Sequence, residues 1–208
     1  MNSINEFDNQ HVEVESIHSV YEGFFKIQAY YFKHALFVGG VSKTVRREIL
    51  ERGHAVAVLP YDPKTDTVLL IEQIRIGAMA TKSSPWLLEC IAGMAEGSTD
   101  YKHVARKEAQ EEAGLTLDKL HFMTSYLSSP GGTTERIYLY LAETDLSQAG
   151  GIYGLESEGE DIKTHVLPYD DALARLNTGE IDNAATVISL QWLALNRAKV
   201  LSEVAVKS

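Results

Sequence analysis

A chain of 208 residues with 45% hydrophobic side chains can bury a core and is too apolar to be disordered. Its formal net charge of −10 makes a nucleic-acid backbone an unfavourable partner. The single cysteine, Cys90, excludes an internal disulfide and suits a reducing compartment. The length fits one large domain, or one domain with a small extension. Residues 1–10 are polar and read as a frayed end. His11 to Val20 reads as a strand with an irregularity, because Val12, Val14, Ile17 and Val20 alternate imperfectly. Tyr21 to Gly23 reads as a turn, Phe24 to Leu36 as an aromatic β-prone run, and Ser42 to Leu50 as a third strand after the break at Gly39 and Gly40. These three form a small antiparallel sheet with little core of its own, which must pack on something.

A main domain is expected from about residue 53, giving regions 1–52 and 53–208. His54 to Tyr61 and Thr67 to Ile76 are apolar strands around a turn at residues 62–66. Residues 77–85 form a loop. Trp86 to Ala92 is one further strand, with Cys90 as a small core residue. Leu120 to Leu127 and Arg136 to Ala142 are strands on either side of a turn at Gly131 and Gly132. Residues 148–161 form a long Gly-rich acidic loop, Ile162 to Leu167 a strand, Tyr169 to Leu176 a short helix, and Asn183 to Val200 an amphipathic helix capped by Asp182 or Asn183. This mixture, without regular parallel units, predicts an α+β fold: a mixed sheet sandwiched between helices. No basic-plus-apolar leader opens the chain and no apolar run is long enough to cross a bilayer, so the expected location is the cytoplasm, away from membranes.

The chemistry concentrates between Gly93 and Leu115. Ser98, Thr99 and Asp100 can cap a helix that runs to Ala113, and Gly114 suits a left-handed stop. On that helix Glu108, Glu111 and Glu112 stand at i, i+3 and i+4, on one face. No Lys or Arg is expected on the inner edge of the cluster. Such a triplet alone is most often a solvated acidic face; its alternative is a site for a hard cation, Mg²⁺ or Mn²⁺, between carboxylates and phosphate. The acidic loop residues Glu156, Glu158, Glu160 and Asp161 could complete it. Arg75, at a strand end, could reach a phosphate. Seven scattered histidines show no zinc spacing, and Ser128 and Ser129 belong to no nucleophile motif.

The segment resembles the signature of the Nudix hydrolases, with Gly93, Glu108, Ala109, Glu111, Glu112, Gly114 and Leu115 in register. Two positions depart: Thr99 stands where the family has Glu, and Lys107 where it has Arg. Further stretches, among them PWLLE at 85–89, SPGGTTER at 129–136 and GIYGLESEGEDI at 151–162, resemble the ADP-ribose pyrophosphatases in particular. The resemblance implies a Nudix fold and Mg²⁺-dependent hydrolysis of ADP-ribose to AMP and ribose 5-phosphate, with other nucleoside diphosphate sugars such as GDP-mannose, or a non-catalytic nucleotide sensor, as alternatives. It also implies roles: Glu108, Glu112, Glu160 and the Ala92 carbonyl on the metal; Glu111 assisting; Glu158 as base or water-orienting group; Arg75 on the diphosphate. Phe24 would stack on adenine, Arg47 and Glu48 would come from the second subunit of a homodimer that exchanges its N-terminal sheet, and Glu135 would lie near the terminal ribose.

Overall fold

The structure, a computed structural model, describes residues 4–205. Of the frayed start expected over residues 1–10, residues 1–3 lie outside the described chain. Residues 9–11 correct that reading: they form a 3-10 turn held by a capping box between Asp8 and His11. The chain divides into two compact units, one holding residues up to Gly53 with Leu127–Glu135, the other His54–Tyr126 with Arg136 onward.

The first unit is an antiparallel meander of β1 (Val12–Glu22), β2 (Lys26–His34) and β3 (Val45–Glu51). The imperfect alternation of β1 has a structural counterpart: its register on β2 shifts between Val14 and Ser16 and again between Ser19 and Tyr21. Within the three strands only Ala29 is buried, while Val12, Val14, Ile17 and Val20 stay exposed. The turn at Gly131 and Gly132 joins this sheet, a placement absent from the sequence reading. The Leu50 N–H donates to the Gly132 carbonyl at 2.8 Å, and the Thr133 hydroxyl to the Leu50 carbonyl at 2.9 Å.

The second unit is a mixed eight-stranded sheet between helices, as the α+β reading expects. Its main path runs β10 (Gly151–Tyr153), β11 (Ile162–Pro168), β5 (Thr67–Ile74), β4 (Ala55–Asp62), β9 (Arg136–Glu143), β8 (Lys119–Leu127). β4 and β9 run parallel; the pairs of β4 with β5, β5 with β11, and β11 with β10 are antiparallel. β4 and β5 pair only beside their turn, at Tyr61–Val68 and Asp62–Thr67. Beyond it they part, and the next segment fills both open edges: β6 (Trp86–Glu89) pairs with β5 and β7 (Ile91–Met94) with β4. The single strand expected over 86–92 is therefore two. Cys90 is the crossover, and its N–H donates to the Thr186 hydroxyl at 2.8 Å.

Buried residues alternate along the central strands because successive side chains point to opposite faces. Ala57, Leu59, Tyr61, Val68, Leu70, Leu139 and Leu141 join the core under α2 (Tyr169–Asn177) and α3 (Ala184–Ala205). Val56, Val58, Leu69, Ile71, Tyr140 and Ala142 join the core under α1 (Tyr101–Ala113). No helix among the described residues is long and apolar enough to cross a membrane.

Candidate active site

α1 begins where the Asp100 carboxylate accepts the His103 N–H at 3.0 Å, and it ends at Gly114 in the left-handed region, φ 64°. Gly114 is needed on a second count. A Cβ there would stand 2.7 Å from the Tyr153 ring, so the residue lets β10 close onto the end of α1. Val104, Ala105, Ala109 and Ala113 bury one stripe of the helix against the sheet. That stripe turns Glu108 and Glu112 toward β7.

Glu112 is 3% exposed, and its carboxylate accepts the Ala92 N–H at 3.0 Å. Burial, with Glu108 and Glu160 as like-charged neighbours, pushes its pKa up to about 8, against the opposing pull of the Ala92 N–H and Arg75. Burial likewise raises the Glu108 pKa, with Lys107 opposing and Glu111 and Glu160 adding to the rise. Glu108 lies directly on Gly93, where a Cβ would meet its Cδ at 2.1 Å. The opening glycine of the motif is thus a cradle for a carboxylate.

Lys107 brings a cation to the cluster from a half-exposed position: its Nζ stands 3.0 Å from Glu111, an i, i+4 step along the helix, and 3.4 Å from the adjacent Glu108. The acidic loop is also more ordered than expected. Its residues 151–153 pair with β11, residues 156–158 form a 3-10 turn, and the Gly154 N–H donates to the Glu111 carbonyl at 3.3 Å. Three paired residues are too few to leave a periodic signal. Glu160 accepts the Leu155 N–H at 3.0 Å and lies within electrostatic reach of Glu108 and Glu112; Glu158 is exposed on the 3-10 turn.

Arg75 follows β5, in electrostatic reach of Glu112, and its Nε donates to Glu89 at 2.8 Å. The structure thus gathers Ala92, Glu108, Glu111, Glu112, Glu160 and Arg75 around one end of α1. It does not bring Glu158 into contact with them. Phe24, Arg47, Glu48 and Glu135 belong to the other unit. There Phe24 is 85% exposed, Glu48 pairs with Arg46 at 2.7 Å, the Arg47 guanidinium donates to the Arg46 carbonyl, and Glu135 is buried beside Arg52 at 3.1 Å.

Among the described residues no three His, Cys, Asp or Glu side chains are drawn into a ready ligand cluster. Physical reasons for the spread are visible. Like-charged carboxylates repel, Lys107 draws on Glu108 and Glu111, and a backbone N–H holds Glu112. The donors are nonetheless all oxygens, one of them a deeply buried carboxylate short of positive charge, which is the chemistry a hard divalent cation fits.

The NUDIX domain profile matches residues 43–198. ADP-ribose pyrophosphatase of Escherichia coli K12 is 48% identical over 197 residues, covering 95% of this chain and 94% of that protein. The ADP-ribose pyrophosphatase of Haemophilus influenzae is 47% identical over 203 residues, with 96% and 94% covered. GDP-mannose pyrophosphatase of Escherichia coli O1:K1 is 35% identical over 152 residues, with 73% and 78% covered. The chain belongs to the Nudix family. A solved structure described as an ADP compounds hydrolase superposes with TM-score 0.69 at 16% identity, over 93% of this chain and 98% of that one, and so shares the Nudix fold.

The two departures from the Nudix signature have distinct settings. Lys107 places an ammonium 3.0 Å from Glu111 where the signature has a guanidinium. Thr99 is exposed, and Asp100 next to it is engaged in capping α1.

One residue of the site escaped the sequence reading. Glu89 is 4% exposed and receives both Arg75 and, at 2.7 Å, the Asn183 amide. An acid inside the apolar run 86–92 was its only signal.

Proposed function

We propose that this chain hydrolyses the diphosphate of ADP-ribose to AMP and ribose 5-phosphate with Mg²⁺, Mn²⁺ serving as a substitute. The observation that carries the reading is the Glu108–Glu112 pair seated on β7, with Arg75 and Glu160 in electrostatic reach. The relatives that match nearly end to end at 47–48% identity are named for ADP-ribose.

Glu108, Glu112, Glu160 and the Ala92 carbonyl hold the cation. When bound, a divalent cation offsets the diphosphate charge and lowers the pKa of water. Arg75 orients the diphosphate and stabilises charge that builds on it. Glu158 is the base or water-orienting group, and Glu111 assists the carboxylates on the metal. Phe24 stacks on adenine, Glu135 lies near the terminal ribose, and Arg47 and Glu48 reach the base from a second copy. The chain works as a homodimer, which gives the exposed apolar residues of β1 a partner surface. Its setting is cytoplasmic.

The test is a panel of ADP-ribose, GDP-mannose and other nucleoside diphosphate sugars, with kcat/KM measured for each with and without Mg²⁺. ADP-ribose is expected to lead and metal-free enzyme to be inactive. Preference for GDP-mannose would favour the second reading, which the 35% identical relative supports.

A further inference from the structure

We propose that Glu89 is a positioning residue for Arg75, fixing the guanidinium so that its outer edge faces the diphosphate. The proposal rests on the reading that Arg75 binds that group. Arg75 stands just past the end of β5, where the chain turns into the 3-10 turn of residues 76–80, and its side chain is 45% exposed. A half-exposed arginine at a chain turn samples many rotamers unless something holds it.

Glu89 supplies the hold. Arg75 Nε donates to Glu89 Oε2 at 2.8 Å, and among the described residues the guanidinium has no other hydrogen-bond partner. The two Nη groups therefore remain for a ligand, and they are the edge suited to two phosphate oxygens. Glu89 is itself held. It sits on β6, beside β5 in the sheet, and its other oxygen, Oε1, accepts the Asn183 amide at 2.7 Å. Asn183 is fixed in turn at the start of α3, where its side-chain oxygen accepts the Thr186 N–H at 3.3 Å and its carbonyl the Val187 N–H at 2.9 Å. The two carboxylate oxygens thus divide the work, Oε1 tying the residue to the helix and Oε2 aiming the arginine. Burying a carboxylate at 4% exposure for a surface ion pair alone would be poorly compensated. Anchoring a ligand-binding arginine gives that burial a purpose.

The experiment compares E89Q, R75A and the R75A/E89Q double variant in Mg²⁺ with ADP-ribose, alongside thermal melts. E89Q keeps the shape and loses the charge. It is expected to raise KM about ten-fold, the scale of one charge-assisted hydrogen bond, with kcat changed far less. R75A is expected to raise KM at least as much, and the double variant to match R75A, because the two residues act as one unit. E89D, a shorter carboxylate, is expected to recover part of the loss. Wild-type KM in E89Q beside a weakened R75A would overturn the positioning role alone. So would losses that multiply in the double variant. Wild-type KM in R75A would overturn the assignment of Arg75, and the proposal with it.

Discussion

Gly154 and Glu160 are packed against each other across the acidic loop: a Cβ on Gly154 would stand 2.7 Å from the Glu160 Cβ and 3.1 Å from its carbonyl carbon. Gly154 also has φ 107°, a conformation side chains rarely adopt. The contact sets where the Glu160 carboxylate points, and both obstacles are backbone or near-backbone atoms that cannot swing aside. Gly154→Ala should therefore shift Glu160 while leaving Glu108 and Glu112 in place. The expected result is a kcat at least about ten-fold lower and a local strain of roughly 1–3 kcal/mol, visible as a small drop in Tm. Unchanged kcat would remove Glu160 from the site.

Glu112 is the most deeply buried carboxylate of the cluster, and among the described residues its hydrogen bond comes from Ala92. Glu112→Gln keeps the volume and removes the charge a cation needs. AMP release from ADP-ribose should fall by on the order of 100-fold or more, since even groups behind a metal ligand typically cost 10–100-fold. The metal-free variant should melt no lower than wild type at neutral pH, because the raised Glu112 pKa makes the folded wild type keep a proton that the unfolded chain releases, a cost Gln does not carry. Normal turnover in this variant would remove the metal role of the helix.

The sequence made legible whatever a short window encodes. The run Ser98, Thr99, Asp100 and the stop at Gly114 marked both ends of α1, Asp100 being the residue that caps it, and the i, i+3, i+4 spacing placed its carboxylates on one side. Three features escaped, each for a physical reason. β10 has three residues, too short for any period. The break at Cys90 depends on Thr186, 96 positions along the chain. Glu89 acquires its meaning from Arg75 and from Asn183, 94 positions away, and no local pattern carries that. Lys107 is the opposite case: its i, i+4 relation to Glu111 is a local pattern, readable from the spacing alone.

Cys90 offers a probe of the sheet's crossover. Its side chain is 1% exposed, and burial pushes the thiol up to about 12, so at pH 8 almost none of it is thiolate. Native protein should react negligibly with a thiol reagent such as Ellman's at pH 8, and one equivalent should appear in guanidinium. Rapid labelling of the native protein would mean that the junction of β6 and β7 opens readily.

Gly93 separates metal binding from folding. Nothing about its φ demands glycine; the demand comes from Glu108, whose carboxylate occupies the space a Cβ would take, with Cδ at 2.1 Å and the oxygens at 2.3 and 2.5 Å. Those atoms are the tip of a flexible side chain, so Gly93→Ala can be accommodated by swinging Glu108 away. The fold should survive, with Tm within a few degrees of wild type, because alanine disfavours a strand less than the glycine it replaces. The displaced carboxylate should no longer share a cation with Glu112. The Mg²⁺ concentration for half-maximal activity should rise at least about ten-fold, the loss typical when a ligand's support is disturbed. An unchanged Mg²⁺ requirement, with Tm preserved, would mean that Glu108 does not bind the metal.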